Sequence, residues 1–245
     1  MNKIFITGGS GKIGSSIIKF LLNNNELVVT TTRNKSNFYK KIKKHKNLFV
    51  IEVDFEKIDA IEKITNFLNH NKIKINCLIH NARSLEYLKM ESDNTTSKNN
   101  FIGEFYIDVV FPYLLSNSLV KEFKTLNNII FISSIYGVVA PNRELYEDLE
   151  KSLPINYGVC KSSQIHLAKE MAVRLGPSVR VNTISYGGVK GRVDKKFISK
   201  YEKLNIQNKM LEDYDVNEPI YFLISKGSEN MTGQNLIIDN GWTVW

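Results

Sequence analysis

Tyr157 and Lys161 are the residues whose types and spacing best suit acid–base chemistry. They stand four positions apart in the stretch 156–176, which carries apolar residues at helical spacing, so both side chains are expected on one helix face. A nearby ammonium stabilises a phenolate, and a phenol so placed can exchange a proton with an alcohol or a carbonyl oxygen. The pair predicts a general acid–base unit, although exposed pairs on helices show the same spacing.

Ser134 is expected to add a hydroxyl to this unit. The apolar run 128–133 predicts a buried strand, and Ser134 follows it directly. Ligands of doubly wound sheets bind at the carboxyl ends of the strands. Ser134, Tyr157 and Lys161 are therefore predicted to face one crevice.

A glycine-rich turn predicts a phosphate-binding site at the same sheet edge. The sequence from Thr7 to Gly14 reads TGGSGKIG and contains GxGxxG at Gly9, Gly11 and Gly14, between the predicted strand 3–7 and a predicted helix. Glycines allow the backbone to approach a pyrophosphate, and the helix directs its free N–H groups at that anion. A packing turn is the alternative, but the order of strand, glycines and helix favours a nucleotide.

The elements that must position these residues alternate between strands and helices. Strands are predicted at 3–7, 26–31, 48–53, 75–79, 128–133, 179–184 and 235–239, and helices at 12–23, 35–45, 56–70, 101–124, 156–176 and 216–225. This alternation predicts an α/β fold with a doubly wound, seven-stranded parallel sheet in the order 3-2-1-4-5-6-7. No repeat or linker divides the sequence, so one domain over 1–245 is expected, with a substrate loop at about 186–215.

Composition excludes several other classes of protein. The chain carries a net charge of +8, but 27 of its 33 basic residues are lysine, a pattern typical of an AT-rich genome and weak evidence for nucleic acid. The basic run 39–46 lies on a predicted helix and is interpreted as a solvated face. No stretch approaches the roughly 18 apolar residues of a membrane span, and no signal-peptide core is present, so a cytoplasmic protein without a membrane partner is expected. The cysteines, Cys77 and Cys160, have no CxxC spacing and the four histidines no metal-binding spacing, so no disulfide or metal site is predicted.

These motifs together resemble the short-chain dehydrogenase/reductase family over essentially the whole chain. The resemblance rests on the glycine turn, Asp54, Asn81-Ala82, the SSxxG serine Ser134, the Tyr157/Lys161 pair, the segment 180–188 and the segment 232–242. It implies a single-domain Rossmann fold and an NAD(P)-dependent oxidoreductase. The segment 133–148 is further similar to oxidoreductases of bacterial flagellin-modification and surface-glycan pathways, which implies a sugar-derived substrate with a carbinol or ketone.

The resemblance also implies roles for individual residues. Tyr157 is the acid–base residue, Lys161 assists it and holds the nicotinamide ribose, Ser134 positions the substrate oxygen, and Asp108 takes the place of the family's catalytic asparagine. The implied cofactor-binding residues are Gly8, Gly9, Gly11, Lys12, Ile13, Gly14, Thr32, Arg33, Asp54, Phe55, Asn81, Ala82, Tyr157, Lys161, Gly187 and Val189. The implied assembly is a homodimer or homotetramer, formed through the helices 101–124 and 156–176.

Departures from the family pattern leave alternatives open. His80 and Arg83 flank Asn81-Ala82, and the glycine turn also matches TGxxGxxG of the nucleotide-sugar branch, for whose large C-terminal lobe this sequence has no room. Asp108 adds a negative charge that opposes phenolate formation, so it either alters the family's proton relay or forms a buried ion pair with Lys161, unless it lies on the surface. The alternatives are a nucleotide-sensing binding protein without turnover, and an epimerase or dehydratase.

Two specificities follow from basic residues around the predicted crevice. No carboxylate ends the second strand, where Thr32 and Arg33 stand with Lys12 nearby, so NADP is expected to be preferred over NAD. The predicted substrate-binding residues are Arg83, Ser134, Lys190 and Arg192. Their positive charge predicts an anionic, phosphorylated sugar, with the alternative that the arginines serve the cofactor or face water.

Overall fold

Seven parallel strands form one sheet at the centre of the molecule. The computed structural model describes residues 1–191 and 193–244. The strands are β1 (Lys3–Ile6), β2 (Leu27–Thr32), β3 (Leu48–Glu52), β4 (Cys77–His80), β5 (Asn128–Ser134), β6 (Arg180–Tyr186) and β7 (Asn235–Ile238). Their order is β3-β2-β1-β4-β5-β6-β7, which confirms the predicted topology.

Helices cover both faces of this sheet. In the described residues they are α1 (Lys12–Asn23), α2 (Lys35–Lys41), α3 (Ala60–His70), α4 (Lys98–Phe105), α5 (Phe111–Glu122), α6 (Leu149–Ser152), α7 (Ile155–Leu175), α8 (Lys195–Lys203) and α9 (Asn217–Ile224). The predicted helix 101–124 is observed as α4 and α5, joined by one π-helical turn at Tyr106–Val110. Helices α6 and α8 lie in segments that were predicted to be loops, because four and nine residues with few apolar side chains give little periodic signal.

Alternate residues of each strand belong to opposite cores. Phe5 of β1 packs in a core with α3, α5 and α7, whereas its neighbours Ile4 and Ile6 pack in a second core with α1, α2 and α9. Burial on both faces explains why the strands are continuous apolar runs. Inside the described residues no helix is long and apolar enough to span a membrane.

A third, smaller core lies beyond the carboxyl edge of the sheet. It joins Ile135, Leu145, Tyr201, Met210 and Trp242, with the Tyr201 and Trp242 rings stacked at 4.4 Å between centroids. This core fixes the segment that contains α8, within the predicted substrate loop, over the ends of β5 and β6.

The approach of α7 to β5 is set by one glycine. A side chain at Gly137, just after β5, would place its Cβ 2.7 Å from the carbonyl carbon and oxygen of Lys161. The Ser133 hydroxyl donates a hydrogen bond of 2.9 Å to the same carbonyl. The end of β5 therefore holds the part of α7 that carries Tyr157 and Lys161.

We expect Gly137→Ala to lower the free energy of unfolding by about 1–3 kcal/mol, because the added methyl overpacks this contact. Turnover should fall as well, since α7 must move to accept the methyl. Urea unfolding measures the first effect. The neighbouring Val138→Ala is the matched control, because Val138 is exposed and its truncation should change stability by less than about 0.5 kcal/mol. Equal stability of the two variants would contradict the proposed close contact.

Candidate active site

A cleft of about 620 Å³ lies at the carboxyl edge of the sheet. The predicted site residues that line it are Gly8, Gly11, Lys12, Ile13, Gly14, Thr32, Arg33, Asp54, Phe55, Asn81, Ala82, Arg83, Ser134, Tyr157, Gly187, Val189 and Lys190. Lys161 and Asp108 lie behind Tyr157, buried beneath the cleft wall. Arg192 lies outside the described residues.

Close backbone contacts shape the glycine turn between β1 and α1. Gly8 has φ +70°, and a Cβ there would lie 2.6 Å from the Cα of Ala82. A Cβ at Gly14 would lie 2.6 Å from the Gly8 carbonyl oxygen and 2.7 Å from the Asn81 amide nitrogen, which itself donates to Thr7 and Gly8 carbonyls. The first turn of α1 has no side-chain cap, so its N–H groups remain available to an anion in the cleft. This cradle fits a dinucleotide pyrophosphate.

Gly9 does not line the cleft, whereas Phe55 lines it and also packs its ring in a core. Gly9 is buried, and its missing side chain makes room for Thr30 and Ile18, so it serves packing of α1 on the sheet. The Phe55 ring stacks on Phe111 with centroids 4.0 Å apart and belongs to a core.

Positively and negatively charged side chains both line the end of the cleft beyond the glycine turn. Arg33 is exposed and lies 4.0 Å from the Glu86 carboxylate. The Thr32 hydroxyl is bonded to the Asn34 backbone, and the Lys12 ammonium is bonded to the Lys190 carbonyl oxygen. The Arg33 side chain, unlike those of Thr32 and Lys12, has no hydrogen-bond partner among the described residues.

Ser134 and Tyr157 face each other across the other end of the cleft. Ser134 is the last residue of β5, and its oxygen accepts a hydrogen bond of 3.2 Å from the Tyr136 N–H. Tyr157 is half-buried in the first turns of α7, with the Tyr136 ring edge-on at 6.3 Å and the Arg83 guanidinium 4.6 Å from its ring centroid. The Lys161 ammonium lies 5.9 Å from the same centroid, on the buried side. Ser134 and Tyr157 thus present a hydroxyl and a phenol to the cleft, and the Lys161 ammonium lies buried behind the phenol.

Asp108 forms a buried ion pair with Lys161. Its Oδ2 lies 2.9 Å from the Lys161 Nζ, and the two side chains are 0% and 6% exposed. The surface position left open by the sequence is wrong. The π-helical turn contributes the local widening that often accompanies functional sites, and it carries Asp108 toward α7.

Gln164 completes the surroundings of Lys161. Its side-chain oxygen accepts from the Lys161 ammonium at 3.1 Å, and its side-chain nitrogen donates to the Asp108 main-chain carbonyl at 2.8 Å. One amide therefore bridges the lysine and the backbone of the π-helical turn. Nothing in the local sequence marked this residue, since a glutamine inside a long helix has no distinctive pattern.

Glu104 is a second buried carboxyl next to this ion pair. It precedes Asp108 by one turn, is fully buried, and neither of its oxygens has a hydrogen-bond donor in the described residues. Burial, and after it the charge of Asp108, raises the pKa of Glu104 to about 7. Its spacing of four from Asp108 is a signal that sequence reasoning could have used.

Other ionisable groups in the interior are held in uncharged forms. Burial lowers the pKa of His80 to about 3 and raises the pKa of Cys77 and of Cys160 to about 12. His80 is hydrogen-bonded to Ser116 at 2.8 Å. These groups supply neither a base nor a thiolate nucleophile near neutral pH.

The substrate side of the cleft is aromatic. The Tyr136 and Tyr146 hydroxyls are hydrogen-bonded at 2.5 Å, and the Tyr146 ring packs edge-on against Phe197 at 5.8 Å. Burial is the main cause that raises the pKa of both tyrosines above its ordinary value, so they stay neutral. Sequence reasoning missed them because they stand in a segment without periodicity.

Lys190 lines the cleft but is engaged by two carboxylates. Its ammonium lies 3.0 Å from Glu212 and 3.5 Å from Glu202. These contacts tie the segment before α8 to the segment after it and neutralise the charge that was predicted to attract substrate. Of the two predicted substrate-binding cations that the structure describes, Arg83 is the one at the Tyr157 end.

Known proteins resemble the chain over nearly its full length. A family model described as enoyl-(acyl carrier protein) reductase matches residues 12–243. Post-translational flagellin modification protein A of Campylobacter coli is 28% identical over 261 residues, which cover 98% of this chain and 97% of that protein.

Solved structures of other proteins have the same fold. A short chain dehydrogenase of Leptospira borgpetersenii with bound NAD+ superposes with a TM-score of 0.87 at 27% identity, covering 99% of this chain and 93% of that chain. A 4-hydroxyisoleucine dehydrogenase complexed with NADH gives 0.85 at 26% identity, covering 100% of both chains. Given a family match over 12–243 and a cleft built for a nicotinamide dinucleotide, the chain belongs to the short-chain dehydrogenase/reductase family and is an oxidoreductase.

Proposed function

We propose that this enzyme moves a hydride between a nicotinamide dinucleotide and the carbinol or ketone of a sugar-derived metabolite in the cytoplasm, as a step of bacterial surface-glycan biosynthesis. The observation that carries the proposal is a cleft lined by Ser134 and Tyr157 as well as by the glycine cradle, with the Lys161 ammonium buried 5.9 Å from the Tyr157 ring centroid. The full-length similarity to a flagellin modification protein supports the metabolic setting.

The cofactor would be held by groups spaced along the cleft. The glycine turn and the first turn of α1 suit the pyrophosphate, Asp54 lies where it can meet the adenine, and Lys161 would reach the nicotinamide ribose. When bound, the nicotinamide supplies or accepts the hydride.

The side chains at the Tyr157 end would manage the substrate oxygen and its proton. Tyr157 gives its hydroxyl proton to the oxygen of a ketone, or takes the proton of a carbinol as phenolate. Ser134 holds that oxygen in place by a hydrogen bond. The Lys161 ammonium stabilises the phenolate form, while its ion pair with the Asp108 carboxylate offsets part of that effect.

The aromatic wall supports a sugar-derived substrate. Tyr136, Tyr146 and Phe197 offer apolar ring faces next to two neutral hydroxyls, which suits a molecule with C–H faces and several OH groups. Arg83 beside Tyr157 would bind a phosphate or carboxylate of that substrate.

A preference for NADP is supported by the end of β2. Arg33 lines the cleft, and no carboxylate follows Thr32 to accept from a ribose 2′-hydroxyl. Glu86, 4.0 Å from Arg33, reduces the local positive charge, but both side chains are more than half exposed and a 2′-phosphate could compete for the guanidinium.

Assembly into a homodimer or homotetramer is supported by exposed apolar side chains on α4, α5 and α7. These residues are Ile102, Phe105, Tyr113, Leu114, Ile155 and Val159. Large apolar side chains gathered on neighbouring helices are typical of protein–protein contacts.

Tyr157→Phe is expected to lower kcat at least about 100-fold, because the phenol is the group that transfers the proton. The dissociation constant of the cofactor should change by less than about threefold, since the ring remains. Steady-state kinetics and cofactor titration measure the two effects, and Tyr113→Phe on the exposed face of α5 is the control. A Tyr157→Phe enzyme with most of its kcat would show that the acid–base assignment is wrong.

NADP should bind more tightly than NAD, and Arg33→Ala should raise the dissociation constant of NADP about tenfold while changing that of NAD by less than about twofold. The reason is that the 2′-phosphate is the group that distinguishes the two cofactors at this position. Calorimetric titration of both cofactors, with exposed Arg143→Ala as control, measures the difference. Tenfold tighter binding of NAD to the unaltered enzyme would refute the preference.

Arg83→Met should raise KM for ribulose 5-phosphate by about 10–100-fold and leave KM for ribulose within about threefold, if Arg83 pairs with the phosphate. Methionine keeps the length of the side chain over the Tyr157 ring. The measurement is steady-state kinetics at two salt concentrations, because added salt should weaken the phosphorylated probe more. Arg174→Met at the exposed end of α7 is the matched control. Equal kcat/KM for both probes in the unaltered enzyme would count against an anionic substrate.

A further inference from the structure

Four buried side chains lie on α4, on α7 and on the π-helical turn between α4 and α5. This group, the lysine cluster, consists of Glu104, Asp108, Lys161 and Gln164, and none of the four is more than 5% exposed. Lys161 contacts Asp108 at 2.9 Å and Gln164 at 3.1 Å. Glu104 precedes Asp108 by four residues, and no described residue donates a hydrogen bond to its oxygens.

The charges in the lysine cluster do not balance if both carboxyls are ionised. Lys161 supplies one positive charge, and its ammonium contacts the Asp108 carboxylate rather than Glu104. A second carboxylate, fully buried and without hydrogen-bond donors in the described residues, is strongly disfavoured. The favourable state therefore has one proton on the carboxyl pair, and Glu104 is its natural location.

The Gln164 amide contacts Lys161 but cannot take a proton from it. Its amide occupies the lysine donor at one end and the Asp108 main-chain carbonyl at the other. A neutral amide has no proton to release or accept near neutral pH. On the buried side of Lys161, the titratable groups of the cluster are then Asp108 and, behind it, Glu104.

We propose that Glu104 is a positioning residue that stores the proton exchanged by the Tyr157–Lys161 unit in each turnover. When a ketone takes the Tyr157 hydroxyl proton, the ammonium of Lys161 passes one proton to the resulting phenolate. Lys161 regains a proton from the Glu104 carboxyl by way of the Asp108 carboxylate, which leaves Glu104 ionised. Glu104 takes a proton from water before the next reduction. In carbinol oxidation the proton instead passes from the substrate to Glu104 and then to water, so protons and charges balance over each turnover.

The surroundings of Glu104 agree with storage near neutral pH. The charged or titratable groups that act on Glu104 come from three elements. They are Asp108 of the π-helical turn, Lys161 and Cys160 of α7, and Arg83 after β4. Burial and Asp108 raise its pKa, Lys161 and Arg83 lower it, and the result is about 7. Cys160 stays a neutral thiol. Glu104 is thus protonated below about pH 7 and ionised above it, where its charge disfavours the Tyr157 phenolate.

The inference rests on the proposed acid–base role of Tyr157, so its test has a readout that does not need activity. Infrared difference spectra of the protein without cofactor should show a carboxylic acid C=O band at pH 6 that is lost by pH 8. At pH 6 ordinary carboxyls are ionised, so the band isolates Glu104. Glu104→Gln should lack the band, while Glu62→Gln on the exposed face of α3 should retain it.

Kinetics test whether the stored proton is used. With the better of the two ribulose probes, Glu104→Gln should lower kcat about tenfold, leave KM within about twofold, and remove the ionisation near pH 7 from the kcat profile. Glu104→Asp keeps a titratable carboxyl and should retain that ionisation, which preserves the test if the glutamine variant fails to fold. Glu62→Gln should match the unaltered enzyme.

The outcomes separate this inference from the proposed function. An inactive Tyr157→Phe enzyme together with a Glu104→Gln profile identical to that of Glu62→Gln would overturn only the role of Glu104. Absence of the infrared band from the unaltered protein at pH 6 would overturn it as well. An active Tyr157→Phe enzyme would instead overturn the acid–base assignment on which both rest.

Discussion

The ion pair between Lys161 and Asp108 is the interaction around which the catalytic half of the molecule is arranged. Both side chains are buried, so removing either partner would leave an unpaired charge at a cost of about 3–5 kcal/mol. The pair joins α7, which carries Tyr157, to the π-helical turn between α4 and α5. It can form only because that turn brings Asp108 toward α7, and Gln164 then fixes the turn by bonding to its backbone. The position of Tyr157 therefore depends on a helical irregularity more than 40 residues earlier in the chain.

The half of the cleft that contains the glycine turn is shaped instead by backbone contacts too close for a side chain. Gly8 approaches Ala82, and Gly14 approaches Gly8 and Asn81, so β1, α1 and the end of β4 meet without intervening atoms. Just after the carboxyl end of β5, Gly137 allows an equally close approach to α7. The two halves of the cleft are therefore both anchored to the neighbouring strands β4 and β5. Pairing of these strands in the sheet limits motion of the glycine turn relative to Tyr157.

The sequence predicted the fold well because each strand is a continuous apolar run, and burial on two faces requires such runs. Strand order was predicted from the alternation of strands and helices and the handedness of crossovers, and it is confirmed. The features that the sequence did not predict are contacts with distant partners. The charge of Lys190 is taken up by Glu202 and Glu212, and the Phe55 ring by Phe111, contacts that no local pattern announces. Glu104 was overlooked because a glutamate on a helix is normally solvated, and only tertiary packing shows that this one is buried beside a second acid.

The electrostatics of the cleft explain why an aspartate can occupy the position beside the lysine. A lone carboxylate there would compete with the Tyr157 phenolate for the lysine charge and weaken the base. With Glu104 protonated, the lysine cluster is neutral overall, and the Asp108 carboxylate is balanced by Lys161 alone. When Glu104 loses its proton to Lys161 by way of Asp108, the cluster carries one net negative charge until water restores that proton. Glu104 therefore links the charge of the buried cluster to proton transfer at Tyr157. In ketone reduction the proton moves from Glu104 toward Tyr157, and in carbinol oxidation it moves the other way.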